Sequence, residues 1–283
     1  MRFKIFRENM KKINTLNDNE LGDAEYGVTQ FSDLAEEEFR RYYLTPKWDL
    51  SHRPDLVRAK IPDVDPPASF DWRDHNAVTP VKNQGMCGSC WAFSTTENIE
   101  GQWAIHRNKL VSLSEQELVD CDKLDDGCEG GLPVNAYEEI IRLGGLESEK
   151  KYPYDAEDEK CKFTVGDVAV YINSSVNISS NEADMAAWLY KNGPISIGIN
   201  AFAMQFYMGG VSHPFSFLCS PDELDHGVLI VGYGTKKGWF SDSPYWIVKN
   251  SWGASWGVQG YYLVYRGDGV CGLNKMPTSA IVK

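Results

Sequence analysis

The 283-residue sequence lacks a run of about 18 apolar residues, and it lacks a basic stretch interleaved with aromatic side chains. The first absence predicts that no segment spans a membrane, because a helix needs roughly that many apolar residues to cross the hydrocarbon core. The second argues against nucleic-acid binding. The 28 basic and 40 acidic residues give a net charge of −12, which would repel a phosphate backbone. No internal repeat or low-complexity tract is present, which excludes a collagen-like or low-complexity fibre.

The composition that remains is ordinary for a globular protein, with 42% apolar and 12% aromatic residues. A chain of this length can bury a sizeable core as one large domain or as two modest ones. The excess of acidic residues favours solubility at neutral pH. Their mutual repulsion weakens as carboxylates take up protons, which would suit an acidic compartment.

The number of cysteines is odd. The seven positions are Cys87, Cys90, Cys121, Cys128, Cys161, Cys219 and Cys271. Three disulfides and one free thiol are the natural interpretation in an oxidising compartment, and the free thiol is then a candidate nucleophile. The sequons at Asn173 and Asn177 are potential glycosylation sites and agree with such a compartment. No signal peptide opens the sequence, and we expect that the N-terminal part of the precursor is missing from it.

The N-terminal quarter has the pattern of two helices followed by a connector. Apolar residues at helical spacing predict an amphipathic helix over residues 1–20. A short strand is expected over residues 26–33, and a second helix with glutamates in its first turn over residues 34–44. Five prolines within residues 45–68 predict an extended connector.

The rest of the chain changes from helix to strand near residue 165. Helices are predicted over residues 90–107, from Ser114 onward, and over residues 133–143. The predicted strands lie at residues 168–172, 195–199, 226–233, 245–249, 260–265 and 280–283. A helix-rich part followed by a strand-rich part predicts an α+β fold with a cleft where the two parts meet.

The densest chemical signal is the segment Gln84-Gly-Met-Cys-Gly-Ser-Cys90. A cysteine attacks as the thiolate, and Cys90 lies where a long helix begins, so the helix dipole would favour its anion. Gly88 leaves room for the backbone of a substrate. The Gln84 side-chain amide and the Cys90 backbone N–H could together stabilise a developing oxyanion.

Three other interpretations of these cysteines compete with a nucleophile. Cys87-x-x-Cys90 could be half of a zinc site, but no second pair of ligands follows at metal spacing. It could be a thioredoxin-like redox pair, but no βαβ pattern surrounds it. Cys90 could also be a buried structural thiol, which would leave Gln84 without a role.

A thiolate nucleophile needs a base, and His226 has the best context of the five histidines. It opens an apolar run, so its ring can project from the end of a strand into a cleft. Asn250 is the candidate for orienting the imidazole, because an amide oxygen can hold the ring in one tautomer. Trp252 could cover that hydrogen bond and exclude water. Structural packing is the alternative for both, since isolated histidines and tryptophans are more often structural.

Together these segments resemble the papain family of cysteine proteases. The family signature C-G-[SA]-C-[WY] matches Cys87 to Trp91, and the histidine and asparagine follow 136 and 160 residues after Cys90. The second spacing is slightly long, which an enlarged loop near residues 234–244 would explain. Gly27-x-Thr-x-Phe-x-Asp33 is similar to the GNFD motif of the family's propeptides. The residues that match the ERFNIN helix of those propeptides are Arg2, Phe6, Asn9, Ile13 and Asn17.

The resemblance implies a papain-like fold, α+β, with a helical left domain and a β-rich right domain on either side of the active-site cleft. Residues 1–65 would be an inhibitory propeptide that is truncated at its N-terminus, with the maturation cut between residues 55 and 67. Residues 66–283 would be the peptidase domain, mainly helical over 66–175 and mainly β over 176–283. The disulfides it implies are Cys87–Cys128, Cys121–Cys161 and Cys219–Cys271.

The resemblance also implies substrate-binding positions. Gly130 and Gly131 would contact substrate backbone, because glycine lets an extended peptide approach closely. The side chain two residues before the scissile bond would enter a pocket walled by Leu132, Pro133, Gly198, Gly227 and Met276. None of these positions carries a charge, so the pocket should prefer leucine or valine to arginine. The other expected substrate-binding residues are Gly88, Asp225 and Trp252.

The implied function is that of a cysteine endopeptidase precursor, activated by propeptide removal at acidic pH. Its catalytic residues would be Cys90, His226, Asn250 and Gln84, without metal or cofactor. Expected partners are protein and peptide substrates, the propeptide as intramolecular inhibitor, and cystatin-type inhibitors. We expect a monomer that is lysosomal or secreted.

Two functions of other classes compete with this one. A catalytically silent binding protein on the same fold would be indicated by a substitution of Cys90, His226 or Gln84, and none is substituted. A disulfide-stapled recognition domain would not need a seventh cysteine.

Overall fold

The computed structural model describes residues 1–52, 56–238 and 242–283. The helices in these ranges are α1 (Arg2–Asp18), α2 (Glu36–Tyr43), α3 (Cys90–Arg107), α4 (Glu115–Cys121), α5 (Pro133–Leu143) and α6 (Glu182–Asn192). Among these described helices, none has the length and apolarity that crossing a membrane requires. The strands are β1 (Glu25–Tyr26), β2 (Val57–Arg58), β3 (Phe70–Asp71), β4 (Leu146–Glu147), β5 (Val168–Val170), β6 (Ser174–Asn177), β7 (Ile195–Ile199), β8 (Tyr207–Gly209), β9 (His226–Lys236), β10 (Ser243–Lys249), β11 (Tyr261–Tyr265) and β12 (Thr278–Ile281).

One large sheet forms the β-rich lobe. Its strand order is β11-β10-β9-β7-β12-β6-β2, and β3 pairs with β9 beside this path. All neighbours are antiparallel except β2 and β6. The long strand β9 lies between β10 and β7, and its first residue, His226, is opposite Ile199 at the end of β7. The candidate base is therefore fixed by a strand that is paired on both sides.

The second lobe is helical and is built around α3. This helix is buried from Cys90 to Gln102, because it packs against β9, β7 and β12 as well as against α4 and α5. A core of apolar residues from α3, α4 and α5 fills this lobe: Trp91, Ala92, Ile99, Leu118, Val134, Ala136, Tyr137 and Ile140. The N-terminus of α3 consequently lies where the two lobes meet.

The N-terminal segment, residues 1–48, packs on the β-rich lobe. Ile13 and Leu16 of α1 and Phe39 of α2 belong to the same hydrophobic cluster as the core of the sheet. β1 pairs antiparallel with β8, which extends this contact through backbone hydrogen bonds. Part of the stability of α1 and α2 thus comes from apolar area buried against the rest of the chain.

The α+β expectation is confirmed, and the strongest local patterns coincide with the structure. The helices expected over residues 90–107 and 133–143 are α3 and α5, with the same bounds. The strand expected over residues 26–33 is only β1, since the chain turns after Tyr26 and the Thr29 carbonyl accepts the Ser32 N–H. The pattern did not reveal α6, which begins at an Asn181 cap that accepts two backbone N–H groups.

The connector over residues 45–68 is extended but not free of structure. Its strand β2 lies parallel to β6, and the Ala59 N–H donates to the Asn177 carbonyl. Residues 53–55 of this connector, and residues 239–241 of the expected enlarged loop, lie outside the described residues.

A buried ion pair joins the two lobes next to the site. Lys249 Nζ, at the end of β10, is 2.9 Å from Glu97 Oε1 of α3, and both side chains are at most 2% exposed. Lys249 Nζ also donates to Thr79 Oγ1 at 3.0 Å. Asn250 directly follows Lys249, and Cys90 begins the helix that carries Glu97. The ion pair between Lys249 and Glu97 therefore holds β10 and α3, and with them Asn250 and Cys90, in place.

Glu97→Ala should lower the free energy of unfolding by about 3–5 kcal/mol, because it leaves the Lys249 ammonium buried without its counter-ion. Urea titration monitored by tryptophan fluorescence would measure the loss. Asp167→Ala is the matched control, since it breaks the exposed ion pair with Lys151 and should leave stability unchanged. Equal stability of the two variants would contradict a role for the buried pair.

Candidate active site

The unpaired cysteine of the described residues is Cys90, the first residue of α3. Its sulfur lies at the N-terminal end of an 18-residue helix, where backbone N–H groups favour negative charge. The backbone N–H of Gly227 donates to Cys90 Sγ at 3.3 Å. The position thus combines a free thiol with donors that stabilise its anion, as a nucleophile requires.

His226 and Asn250 meet because β9 and β10 are neighbours. His226 begins β9, Asn250 directly follows β10, and His226 Nε2 is 2.8 Å from Asn250 Oδ1. Since the amide oxygen can only accept, Nε2 carries the proton and Nδ1 has a free lone pair. Nδ1 is buried and has no hydrogen-bond partner in the described part of the chain. The ring is therefore held in the tautomer that can accept a proton.

Trp252 covers the histidine. Its ring stacks on the imidazole with 4.7 Å between centroids and 29° between planes, and the side chain is buried. The edge of Trp256 packs against Trp252 at 5.1 Å. The aromatic pair excludes water from the hydrogen bond between His226 and Asn250 and so strengthens it.

Gln84 is oriented by a residue that the sequence did not single out. Ser251 Oγ donates to Gln84 Oε1 at 2.7 Å, which fixes the direction of the amide. Gln84 Nε2 donates to the Cys87 carbonyl at 2.8 Å and to the Tyr43 carbonyl at 3.2 Å. A carbonyl oxygen of the N-terminal segment thus already occupies a donor that is suited to an oxyanion.

Burial governs the protonation of the pair in this covered state. Desolvation raises the pKa of Cys90 to about 12, although the Gly227 N–H opposes the shift. Desolvation lowers the pKa of His226 to about 4, and the hydrogen bond that its ring donates to Asn250 opposes this shift. Near neutral pH the thiol and the imidazole are therefore both uncharged while the segment is docked.

Aromatic side chains of the N-terminal segment cover Trp252 from outside. The ring centroids of Phe31 and Phe39 lie 5.2 Å and 5.3 Å from that of Trp252, both edge-on. Tyr43 packs on both phenylalanines, at 4.7 Å and 5.7 Å. This cluster, made of Phe31, Phe39 and Tyr43, anchors the segment directly above the candidate catalytic residues.

Beyond α2 the chain continues through the cleft in an extended form. The N–H of Thr45 donates to the Asp225 carbonyl at 2.8 Å, and the N–H of Trp48 donates to the Leu224 carbonyl at 2.9 Å. Arg40 Nη1 lies 3.0 Å from Asp225 Oδ2, which adds an ion pair. Residues 45–48 therefore dock on Leu224 and Asp225, the two residues that precede His226.

The pocket expected to take a substrate side chain is filled by Trp48. The buried Trp48 ring shares a hydrophobic cluster with Met276, Leu224 and, at its edge, Leu132. A Cβ on Gly198 would lie 2.3 Å from this ring, so the absent side chain there makes the space for it. Gly198 thus lies directly at the Trp48 ring, and Met276 and Leu132 belong to the same apolar cluster.

The remaining expected glycines and proline of the substrate-binding set lie in four places. Pro133 is buried at the first turn of α5, and Gly227 packs against the backbone of Cys90. Gly88 and Gly130 contact the segment, since Cβ atoms there would lie 2.9 Å from the Leu44 carbonyl and from Pro46. Gly131 instead faces the ring of Trp91, 2.6 Å from a Cβ built on it.

Three disulfides are formed, with the pairing that the family resemblance implies. The bonded pairs are Cys87–Cys128, Cys121–Cys161 and Cys219–Cys271. The first joins the loop before α3 to the loop that carries Gly130, so it braces two edges of the cleft.

The two sequons differ in their surroundings. Asn173 is exposed, and its Oδ1 accepts the Lys283 N–H at 2.7 Å. Asn177 is half-buried in β6 beside β2. The surface position of Asn173 suits an attached glycan better.

Tyr43, Leu44 and Trp48 also belong to the site, although the sequence did not predict them there. Their signal was the occurrence of bulky apolar residues at the entrance of a proline-rich connector, where exposed chain would carry few of them. Ser251 gave no signal, because a serine next to an asparagine has no distinctive pattern.

Comparisons with known proteins agree with this arrangement. The model of the papain family cysteine protease matches residues 66–281, and that of the cathepsin propeptide inhibitor domain (I29) matches residues 1–39. The chain is 54% identical to cathepsin F of Mus musculus, with 99% of this chain and 60% of that protein aligned. It is 51% identical to cathepsin F of Drosophila melanogaster, with 100% of this chain and 47% of that protein aligned. The chain therefore spans about half to three-fifths of the length of these two relatives.

A relative of more similar length and solved structures extend the comparison. Cysteine proteinase 1 of Dictyostelium discoideum is 47% identical over 99% of this chain and 86% of that protein. The structure of procathepsin L2 from the larval midgut of Tenebrio molitor superposes with a TM-score of 0.89 at 33% identity, covering 99% of this chain and 92% of that chain. The recombinant stem bromelain precursor gives 0.86 at 35% identity, covering 100% and 91%. The papain-like fold expected from the sequence is confirmed.

The buried thiol should be slow to react. In the intact chain at about pH 7.5, Cys90 should be alkylated by iodoacetamide at least about 100-fold more slowly than free cysteine, because it is inaccessible and its pKa is raised. Mass spectrometry of the Cys90 peptide would follow the reaction. Trp48→Ala should speed it by loosening the cover, whereas Phe3→Ala, an exposed aromatic residue of the same segment, should not. Alkylation of the intact chain at the rate of free cysteine would contradict the covered geometry.

Proposed function

Because the chain belongs to the papain family of cysteine proteases, we propose that it is the zymogen of a cysteine endopeptidase similar to cathepsin F. One observation carries the proposal: the free Cys90 thiol begins α3 beside a histidine that Asn250 holds in its proton-accepting tautomer. In this proposal residues 1–65 are the inhibitory propeptide and residues 66–283 the peptidase domain.

Each residue of the site has a role in the proposed reaction. His226 Nδ1 takes the proton of Cys90, and the thiolate attacks the carbonyl carbon of the scissile bond. Gln84 Nε2 and the Cys90 N–H stabilise the oxyanion, and the imidazolium then protonates the leaving amine. A water activated by His226 hydrolyses the thioester and returns the thiol. Asn250 keeps the ring aligned through both steps.

The N-terminal segment inhibits by occupying the cleft. The Tyr43 carbonyl accepts a hydrogen bond from Gln84 Nε2, and the Trp48 ring occupies the proposed pocket for a substrate side chain. The segment passes these two positions in that order, the reverse of a substrate, whose pocket-filling residue precedes the scissile carbonyl. No peptide bond of the segment is then presented to Cys90 as a substrate bond would be.

Acidic pH should weaken the contacts of the segment with the rest of the chain. Burial raises the pKa of Asp225 to about 6, so protonation of this carboxyl favours the docked state, although it removes the charge that Arg40 attracts. Asp23 forms an ion pair with Lys236. Desolvation raises the pKa of Asp23, but its hydrogen bonds with Lys236 and Val211 outweigh this effect, and the net pKa is lowered. Arg2 Nη1 donates to the backbone carbonyl of Asp33 at 2.9 Å.

Self-processing tests the activity and its pH dependence together. At about pH 4–5 the wild-type chain should cut itself between residues 55 and 67, as intact mass and N-terminal sequencing would show, and then hydrolyse leucine-containing peptides. Cys90→Ser should do neither while keeping its fold, since its thiol is unpaired. His226→Ala should lose more activity than Asn250→Ala, because proton transfer contributes more than orientation. An active Cys90→Ser variant would overturn the mechanism; full activity of the uncut chain at neutral pH would overturn the inhibition.

The pocket around Met276 should prefer leucine or valine over arginine two residues before the scissile bond. Leucine gains roughly 1.5–3 kcal/mol by burial, whereas arginine loses hydration without a partner. Met276→Glu should raise the ratio of kcat/KM for arginine over leucine at least about 10-fold by supplying a counter-ion. Met208→Glu, at an exposed methionine, is the control and should leave the ratio unchanged. Equal cleavage of both peptides by the wild type would show that the pocket is misassigned.

The wider context of the enzyme is part of the proposal. Three disulfides and the acidic composition suit a lysosomal or secreted monomer, glycosylated at Asn173 or Asn177. Cystatin-type inhibitors, which would enter the same cleft after the segment leaves, are the proposed protein partners.

A further inference from the structure

Two carboxyl groups lie side by side beneath the loop that carries Gly130, Gly131 and Leu132. Asp122 directly follows α4, and Asp125 lies three residues later. Asp122 Oδ1 accepts the backbone N–H of Asp125 at 3.1 Å, which brings the two residues together, and the Oδ2 atom of each is buried with no donor among the described residues. Two neighbouring buried carboxylates that lack donors repel each other, so a proton on the pair is favoured.

Asp125 holds the loop through its other oxygen. Oδ1 accepts the backbone N–H of Leu132 at 3.0 Å and Asn135 Nδ2 at 2.9 Å. A Cβ on Gly131 would lie 2.8 Å from Asp125 Cβ, so the loop rests directly on this residue. Asp122 Oδ1 accepts the N–H groups of Leu124 and Asp125, which fixes the partner carboxyl in turn.

The charged groups around the pair do not neutralise it. Glu139 of α5 faces Asp122 and accepts the backbone N–H of Lys123. Arg142, on the same helix, is bound to Glu139 at 2.7 Å and also attracts Asp122, without forming an ion pair with it. Trp91, which packs under the loop from α3, is neutral. In the described ranges no cation forms an ion pair with either aspartate, so deprotonation would leave two adjacent anions.

We propose that Asp125 is a positioning residue for substrate binding, and that the proton it shares with Asp122 holds Gly130 to Leu132 in the binding position. The inference rests on the proposed peptidase function and deepens it. Loss of the shared proton leaves two buried anions beside each other, and their repulsion displaces the acceptor of the Leu132 N–H. The substrate strand then loses its support, so substrate should bind more weakly while the chemistry at Cys90 is untouched.

The pH range follows from the surroundings of the pair. Desolvation, and after it the Asp122 carboxyl, raise the pKa of Asp125, and desolvation raises that of Asp122. The folded state therefore holds its proton at acidic pH and gives it up as the pH rises above the ordinary range of aspartate. Tight binding in acid and weaker binding near neutrality are the expected result.

KM measured for one leucine-containing peptide at about pH 5 and about pH 7.5 tests this in acid-activated protein. The wild type should show a KM at least about fivefold higher at the upper pH. Asp125→Asn keeps the acceptor oxygen and gives Asp122 an amide donor, so its KM should stay low at both values. Asp125→Ala removes the acceptor and should raise KM at both, with kcat changed far less. Asp126→Asn, which removes an exposed carboxyl from the same loop, should follow the wild type.

Thermal unfolding in a Cys90→Ser background gives a readout that needs no activity. Because the raised pKa values favour the protonated folded state, the Tm of the protein with native aspartates should fall as the pH rises from about 4 to 8. The Tm of the Asp125→Asn variant should fall over the same range by several degrees less. A Tm and KM of Asp125→Asn that both track the wild type would refute the inference. Absence of peptidase activity in every variant, with the Tm difference intact, would instead refute the proposed function.

Discussion

The close approach of β9 to the N-terminus of α3 is the constraint on which the site depends. A Cβ on Gly227 would lie 3.0 Å from the Cys90 carbonyl oxygen, so only glycine lets the strand come this near without displacement. The contact places a backbone N–H on the Cys90 sulfur and sets His226 at the same edge. The buried pair of Glu97 and Lys249 maintains this arrangement, because it ties the helix to the strand that precedes Asn250.

The covering segment changes the chemistry of this arrangement as well as access to it. With water excluded, charge separation between the thiol and the imidazole is costly. The pKa of Cys90 is therefore raised and that of His226 is lowered. Departure of the segment would rehydrate the edge of the cleft and let the helix dipole and the neighbouring imidazolium favour the thiolate. Inhibition thus has a steric and an electrostatic component, and both end with the same displacement.

Residues fixed by local chemistry could be predicted from the sequence, and residues fixed by long-range packing could not. Cys90 and α5 are marked by their own neighbours: a glycine and a serine precede Cys90, and α5 begins with a proline and is followed by two glycines. The docking of Trp48 depends on the absence of a side chain at Gly198, 150 residues away, which no local pattern reveals. The contact between Asp122 and Asp125 is local, yet its importance appears only when the burial of both oxygens is known.

The carboxyl groups of the docked segment do not all respond to acid in the same direction. Hydrogen bonding to Lys12 first, and then its charge, lower the pKa of Glu36, so this contact between α1 and α2 is present at neutral pH and weakens as the pH falls. The ion pair of Asp23 with Lys236 of β9 depends on pH in the same direction. Burial raises the pKa of Glu20, so protonation there favours the docked state and opposes release. Since Glu20 also accepts hydrogen bonds from Tyr26 and from the His213 N–H, it keeps β1 on β8 even in mild acid. Burial raises the pKa of Asp225 in the same way, so release of the segment in acid depends on the ion pair of Asp23 with Lys236 rather than on that of Arg40 with Asp225.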